Sequence, residues 1–193
     1  MRKIRNDAPI ILFKHQKEWA AWLKKNHAAT PGIWMRFYKK NAGAHSITHE
    51  EALDEALCYG WIDGQLQKYD EHSWLQKFTP RRAKSIWSKK NAERAEQLIK
   101  LGKMKPAGLQ EIEKAKADGR WERAYDSPGR MTFPDDFLKK LSRNKKTSEF
   151  FESLNRANKY AIAWRLQTAK KPETREKRMT HILEMLSQGK KFH

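Results

Sequence analysis

The run QLQKY at residues 65–69 and the run SWLQKF at residues 73–78 are rich in large side chains and separated by only three polar residues. Two such runs with a short polar connection are typical of an antiparallel pair of strands. Further strands are predicted at residues 10–13, a compact apolar run, and at residues 33–38, where large apolar side chains alternate with others. Together these runs predict a small, mainly antiparallel sheet.

Helical patterns surround the predicted strands. Thr48 with Glu51 three residues later forms a capping box, which predicts that a helix begins there and ends near Gly60. Further helices are predicted at residues 16–26, 88–102, 106–117, 135–141, 148–154, 156–169 and 172–186. The fold class that follows is α+β, with a small sheet packed with helices and a C-terminal all-helical unit.

A domain boundary is predicted where two prolines and a glycine interrupt all periodicity. We expect an α+β domain at residues 1–126, a linker at residues 127–134 and a helical tail domain at residues 135–193.

The charge of the chain is strongly positive and unevenly placed. Its 41 Lys and Arg against 23 Asp and Glu give a formal net charge of +18. Residues 1–75 hold 11 basic and 9 acidic side chains, whereas residues 76–193 hold 30 and 14. Such an excess predicts an anionic partner, with nucleic acid, an acidic membrane surface and phosphorylated ligands as the candidates.

Cysteine usage and hydropathy indicate the compartment. The single cysteine, Cys58, excludes an internal disulfide, and no apolar signal core follows Met1. No run approaches the length of a transmembrane helix. We therefore expect a cytoplasmic protein, with any membrane association peripheral.

The candidate ligand site lies in the segments GWIDG at residues 60–64 and FTPRRAKSIWSKKN at residues 78–91. Guanidinium groups bind phosphate through paired hydrogen bonds, a helix N-terminus favours anions, and an indole can stack on a base or sugar. We predict an anion-preferring site, with no catalytic residue, metal or cofactor assigned. Its residues are Trp61, Asp63, Arg81, Arg82, Lys84, Trp87, Ser88, Lys89 and Asn91.

Several of these residues also have a structural interpretation. Trp87 could belong to the core and Ser88 could simply cap a helix. Asp63, placed between glycines, is interpreted as a residue at a sharp turn. A buried ion pair between Asp63 and Arg81 or Arg82 would explain both motifs, and we favour it over catalysis because no partner base or nucleophile is specified.

Three functions remain open at this point. The first is a binding protein that holds an anionic ligand or nucleic acid reversibly. The second is an enzyme on a small phosphorylated or otherwise acidic substrate, with Asp63 as acid or base. The third is a docking module whose C-terminal helices bind a protein partner.

Other reactive side chains give weaker signals. A buried, inert Cys58 is expected because Asp54, one turn earlier, would raise the thiol pKa. His45 and His49 have a metal-binding spacing, but the Thr48 cap places one in a loop and the other at a helix start. No metal site is expected there.

The sequence resembles a known family. The segment EALDEALCYGWIDG at residues 51–64, the FTPRR motif and GKMKPAG at residues 102–108 resemble the YdeI/OmpD-associated family, often described as bacteriocin-protection proteins. The tail segment AKKPETR at residues 169–175 resembles the helical tail domain of that family. The resemblance implies a bacterial protein associated with envelope stress or bacteriocin tolerance, and it implies no catalytic residue or cofactor.

The N-terminal part is also distantly similar to small α+β proteins that include frataxin-like iron carriers. Such carriers hold hard cations through acidic surfaces, whereas this chain is basic. Its one acidic cluster, around Glu50 and Asp54, is interpreted as a solvated helix face.

Overall fold

The computed structural model describes residues 8–192. Within these residues the chain forms a four-stranded sheet and eight helices. The strands are β1 (Ile10–Ile11), β2 (Ile33–Tyr38), β3 (Trp61–Lys68) and β4 (Ser73–Pro80). The helices are α1 (Gln16–Asn26), α2 (His49–Cys58), α3 (Lys89–Lys100), α4 (Pro106–Ala117), α5 (Asp135–Leu141), α6 (Lys145–Ser153), α7 (Arg156–Gln167) and α8 (Pro172–Ser187). The predicted α+β class is confirmed.

The sheet has the strand order β1-β2-β4-β3. The predicted hairpin is present as the antiparallel pair β3 and β4, and β4 also pairs antiparallel with β2. The short β1 runs parallel to β2, so the sheet is mixed but mainly antiparallel. β3 begins at Trp61, four residues before the predicted start, because Trp61, Ile62 and Asp63 pair with the end of β4.

Helices α1 and α2 pack on one face of the sheet over an aromatic core. The Trp19 indole, which is fully buried, donates a hydrogen bond of 3.0 Å to the Ala52 carbonyl of α2. The predicted capping box is present, since the Thr48 hydroxyl accepts from Glu51 N and the Glu51 carboxylate accepts from Thr48 N. These contacts fix α2 over the sheet.

Two glycines allow close approach of the backbone in this part of the fold. Gly60 has a φ of 72° at the turn between α2 and β3, a conformation that L side chains rarely adopt. Gly108 lies in α4 against the end of α2, where a Cβ atom would be 2.4 Å from the Cys58 carbonyl oxygen. Any side chain at residue 108 would therefore force the two helices apart.

The described residues form two compact units. The first consists of the residues up to Ser85 together with Glu93–Gly119, and the second of Ile86–Ala92 together with the residues from Arg120 onward. The domain limits predicted at residues 126 and 134 stay a prediction.

The second unit contains the predicted C-terminal helices α5 to α8. Its core is apolar and includes Phe137, Phe151, Ile162 and Met179, each no more than 3% exposed. Helix α6 begins at Lys145 rather than at residue 148, because the Asn144 side chain accepts a hydrogen bond from Thr147 N and caps it. Throughout residues 8–192, no helix is both long and apolar enough to cross a bilayer.

Candidate functional site

Asp63 lies inside strand β3 and not at a turn, so its predicted turn position was wrong. Its strand partner is Phe78 of β4, and the pairing is irregular between Asp63 and Leu66. The bulge places Gly64 where its carbonyl accepts a hydrogen bond of 2.9 Å from the buried Gln76 amide. Gly64, which suggested a turn in the sequence, therefore lies at a bulge within the strand.

The Asp63 carboxylate pairs with a histidine. Its Oδ2 atom lies 3.1 Å from His49 Nε2, at the first residue of α2, and both side chains are partly exposed. The His49 ring also packs near the rings of Phe37 and Phe78. A carboxylate on one imidazole nitrogen orients the ring and leaves the other nitrogen able to exchange a proton. The ion pair predicted between Asp63 and Arg81 or Arg82 stays a prediction.

The arginines that follow β4 differ in exposure. Arg81 is 7% exposed, and its backbone N–H donates a hydrogen bond of 2.9 Å to Gly60 O. Arg82 and Lys84 are exposed. Arg81 is therefore buried, whereas a ligand in solvent can reach Arg82 and Lys84.

The predicted residues from Trp87 to Asn91 belong to the second unit. Trp87 is 2% exposed, and its ring centroid lies 4.8 Å from that of Trp121. The Ser88 hydroxyl accepts a hydrogen bond of 3.2 Å from Asn91 N in the first turn of α3. Ser88 therefore caps α3, as one of its two interpretations predicted.

Lys89 is engaged by a buried carboxylate. Its ammonium group lies 2.7 Å from Asp126 Oδ1, and Asp126 also accepts hydrogen bonds from the Gln167 amide and the Thr132 hydroxyl. Burial by itself raises the pKa of Asp126, but the hydrogen bonds from Lys89, Gln167 and Thr132 outweigh it and hold the pKa below its ordinary value. Lys89 thus compensates an internal charge.

The stacking role predicted for Trp61 or Trp87 is not supported by their burial. Trp61 is 1% exposed, and its indole donates a hydrogen bond of 3.0 Å to the His27 carbonyl. Trp87 is equally enclosed. A base or sugar could not reach the face of either ring unless the core opened, so both rings contribute to packing.

Family models match most of this architecture. Residues 11–111, which contain the sheet, α1, α2 and both predicted motifs, match the model described as Domain of unknown function (DUF8412). The chain belongs to this family. Residues 130–189 of this DUF8412 protein match a second model, Bacteriocin-protection, YdeI or OmpD-Associated, which confirms the family expected from the sequence and locates the match in the helical tail. No curated protein and no solved structure matched the chain.

The acidic cluster on α2 of the DUF8412 protein is used within the fold. Asp54 forms an ion pair with Arg94, Glu55 accepts a hydrogen bond of 2.7 Å from the Gln16 amide, and Glu51 belongs to the capping box. No group of three or more His, Cys, Asp or Glu side chains suited to a metal ion occurs among residues 8–192.

Cys58 is buried at the end of α2, as expected. Desolvation, followed by the neighbouring carboxylates of Glu55 and Asp54, raises the pKa of its thiol to about 12. Because the thiolate is the reactive form, the folded protein keeps this cysteine inert at neutral pH.

The second unit also contains a cavity that the sequence did not indicate as a site. Its volume is about 390 Å³. The lining residues, from α7, α8 and the segment after α8, are Trp164, Arg165, Arg178, His181, Ile182 and Phe192. The signals available in the sequence were the neighbouring residues Trp164 and Arg165 and the spacing of Arg178 and His181, which lie about one turn apart on α8.

Proposed function

We propose that this DUF8412 protein is a non-enzymatic binding protein for an anionic ligand, acting in the cytoplasm in stress or bacteriocin protection. The observation that carries the proposal is the exposure of Arg82 and Lys84 directly after β4. Both charges follow the last residue of β4, so they lie at one end of the sheet in the first unit. The net charge of +18 supports a polyanion, nucleic acid in particular, as the ligand.

The buried neighbours give the exposed pair its support. Arg81 is anchored through its backbone to Gly60, and this fixes the start of the segment that carries Arg82 and Lys84. In the second unit Lys89 is paired with Asp126 and Ser88 caps α3. Of the cations predicted for the site, Arg82 and Lys84 are therefore the two that we assign to ligand contact.

Fluorescence anisotropy of labelled single-stranded and duplex oligonucleotides tests the proposal. We expect R82A/K84A to weaken binding severalfold at low salt and to reduce the salt dependence of affinity, because fewer counterions are released. The control is K24A/K25A, which removes the same charge from exposed positions on α1 of the same unit. Equal losses in both double variants, or no binding by the unmodified protein at low salt, would contradict the proposal.

A second candidate function is an enzyme on a small phosphorylated or acidic substrate. The hydrogen bond between His49 Nε2 and Asp63 Oδ2 favours it, since a histidine oriented by a carboxylate is a common general base. Turnover of p-nitrophenyl phosphate by the purified protein, lost in both H49A and D63N, would support this candidate. Turnover that persists in both variants would assign the activity to a contaminant.

A further inference from the structure

The cavity in the second unit has an unusual balance of charge. Of its six lining side chains, Arg165 and Arg178 are cationic, His181 becomes cationic on protonation, and none is a carboxylate. Among residues 8–192, the two guanidinium groups contact backbone carbonyls, the Thr168 hydroxyl and the Phe192 ring, all of which are neutral. Such a cavity attracts anions and repels cations.

The hydrogen bonds of the two guanidinium groups leave most of their donors available. Arg178 donates through Nη1 to the Arg165 carbonyl, at 2.8 Å, and to the Thr168 hydroxyl, at 3.4 Å. Arg165 donates through Nη1 to the Ala161 carbonyl at 3.0 Å. Arg175, by contrast, uses two nitrogens on the Asp136 carboxylate. A guanidinium has five N–H donors, so Arg165 and Arg178 are oriented by neutral groups and retain donors for an anion.

The aromatic walls of the cavity are held in place by the fold. Gly189, with a φ of 67°, reverses the chain after α8, and Lys190 N donates to Met185 O at 2.9 Å. The returning segment is anchored where Phe192 N donates to Oδ1 of the buried Asn158 at 3.0 Å. The Arg165 guanidinium then lies 4.1 Å from the centroid of the Phe192 ring. Trp164 provides the second aromatic surface.

We infer that this cavity binds a small organic anion that carries a flat ring, with a nucleoside monophosphate as the class of ligand. The guanidinium groups supply paired donors for the phosphate, the Trp164 ring supplies a face for the base, and the Phe192 ring holds the Arg165 guanidinium in the cavity wall. The volume of about 390 Å³ lies within the range of small-molecule sites. The site shares no residue with Arg82 and Lys84, so it goes beyond the proposed function.

Isothermal titration calorimetry of the full chain with adenosine monophosphate tests the inference. Adenosine, which lacks the phosphate, and inorganic phosphate, which lacks the base, serve as control ligands. We expect the monophosphate to bind at least tenfold more tightly than either. Absence of monophosphate binding at millimolar concentration, or phosphate binding of equal strength, would overturn the inference.

Variants locate the binding in the cavity. We expect R178A, R165A and F192L each to lose tenfold or more in affinity, whereas R143A removes an exposed arginine of the same unit and should leave affinity unchanged. If circular dichroism shows that R178A does not fold, two milder variants test the site instead. R178K keeps the positive charge, and F192L keeps an apolar side chain at residue 192. R82A/K84A should bind the monophosphate normally, which separates this test from that of the proposed function. Equal losses in R143A and R178A would contradict the cavity as the site.

Discussion

His49, the first residue of α2, lies with its Nε2 atom 3.1 Å from Oδ2 of Asp63 in strand β3. The pair therefore joins the start of a helix to the edge strand of the sheet beneath it. Both side chains are partly exposed, so the hydrogen bond is accessible to solvent and contributes modestly to stability.

A double-mutant cycle measures this contribution. We expect H49A and D63A to show a coupling free energy of about 0.5–1 kcal/mol in urea unfolding, since each change alone removes the same hydrogen bond. The matched control is H45A combined with D63A, which removes a histidine of the preceding loop. If the coupling free energy in the first cycle is no larger than that in the control cycle, the pair is not formed in solution.

Gly108 tests the close approach of α4 to the end of α2. Alanine in a helix is favoured over glycine by about 1 kcal/mol, yet its Cβ would lie 2.4 Å from Cys58 O and 2.7 Å from Leu57 O. We expect G108A to lower the free energy of unfolding by about 2 kcal/mol, because backbone at that distance must move. G102A, at a φ of 65° with open space around it, should cost about 1 kcal/mol through backbone strain alone. Stabilisation by G108A would exclude the observed helix contact.

Asp126 tests the internal network of the second unit. We expect D126N to destabilise the protein by about 2 kcal/mol, because the buried carboxylate loses its ion pair with the exposed Lys89 and the amide cannot accept all of the same hydrogen bonds. Glu122, an exposed acid a few residues earlier, provides the control variant E122Q, which should change the stability little. Urea unfolding at neutral pH gives both values, and equal stability of the two variants would contradict the network.

The pair of Asp136 and Arg175 predicts a dependence of stability on pH. Two hydrogen bonds from the Arg175 guanidinium hold the pKa of Asp136 at about 2, below its ordinary value of 3.8. A carboxyl with a lowered pKa in the folded state stabilises the fold above its unfolded pKa and loses that contribution as the pH falls through the folded value. We expect the contribution of this half-exposed pair, about 1 kcal/mol, to disappear between pH 4 and about pH 2.

Thermal unfolding across that range tests the pH dependence. R175A should unfold at a lower temperature than the unmodified protein at pH 6, and the difference should shrink as the pH approaches 2. R143A, an exposed arginine of the same unit, serves as the control. A difference for R175A that stays constant from pH 6 to pH 2 would mean that its effect does not arise from the Asp136 carboxylate.

Local sequence signals determined much of the fold. Helices α1 and α4 and strand β2 have the limits that periodicity and turn residues predicted. The capping box at Thr48 and the cap at Ser88 were also predicted from neighbouring residues. These features depend on side chains within a few positions of one another, and such interactions can be inferred from spacing alone.

Features that depend on distant residues needed the tertiary structure. The segment at Trp61–Asp63 has glycines on both sides and resembles a turn locally, but pairing with the end of β4 makes it a strand. The sequence predicts that Lys89 binds a ligand, but in the structure Lys89 pairs with Asp126, which lies 37 positions later in the chain. The cavity between Arg165, Arg178 and Phe192 likewise forms only because Gly189 returns the chain toward α7.

The sequence by itself determined the class of fold, the resemblance to the YdeI/OmpD-associated family and an excess of positive charge. The tertiary structure decided which of those charges are available, because a cation is neutralised by whichever carboxylate the fold brings within hydrogen-bonding distance. Sequence separation carries little information about that distance, so Lys89 and Arg178 could be told apart only once the helices were packed.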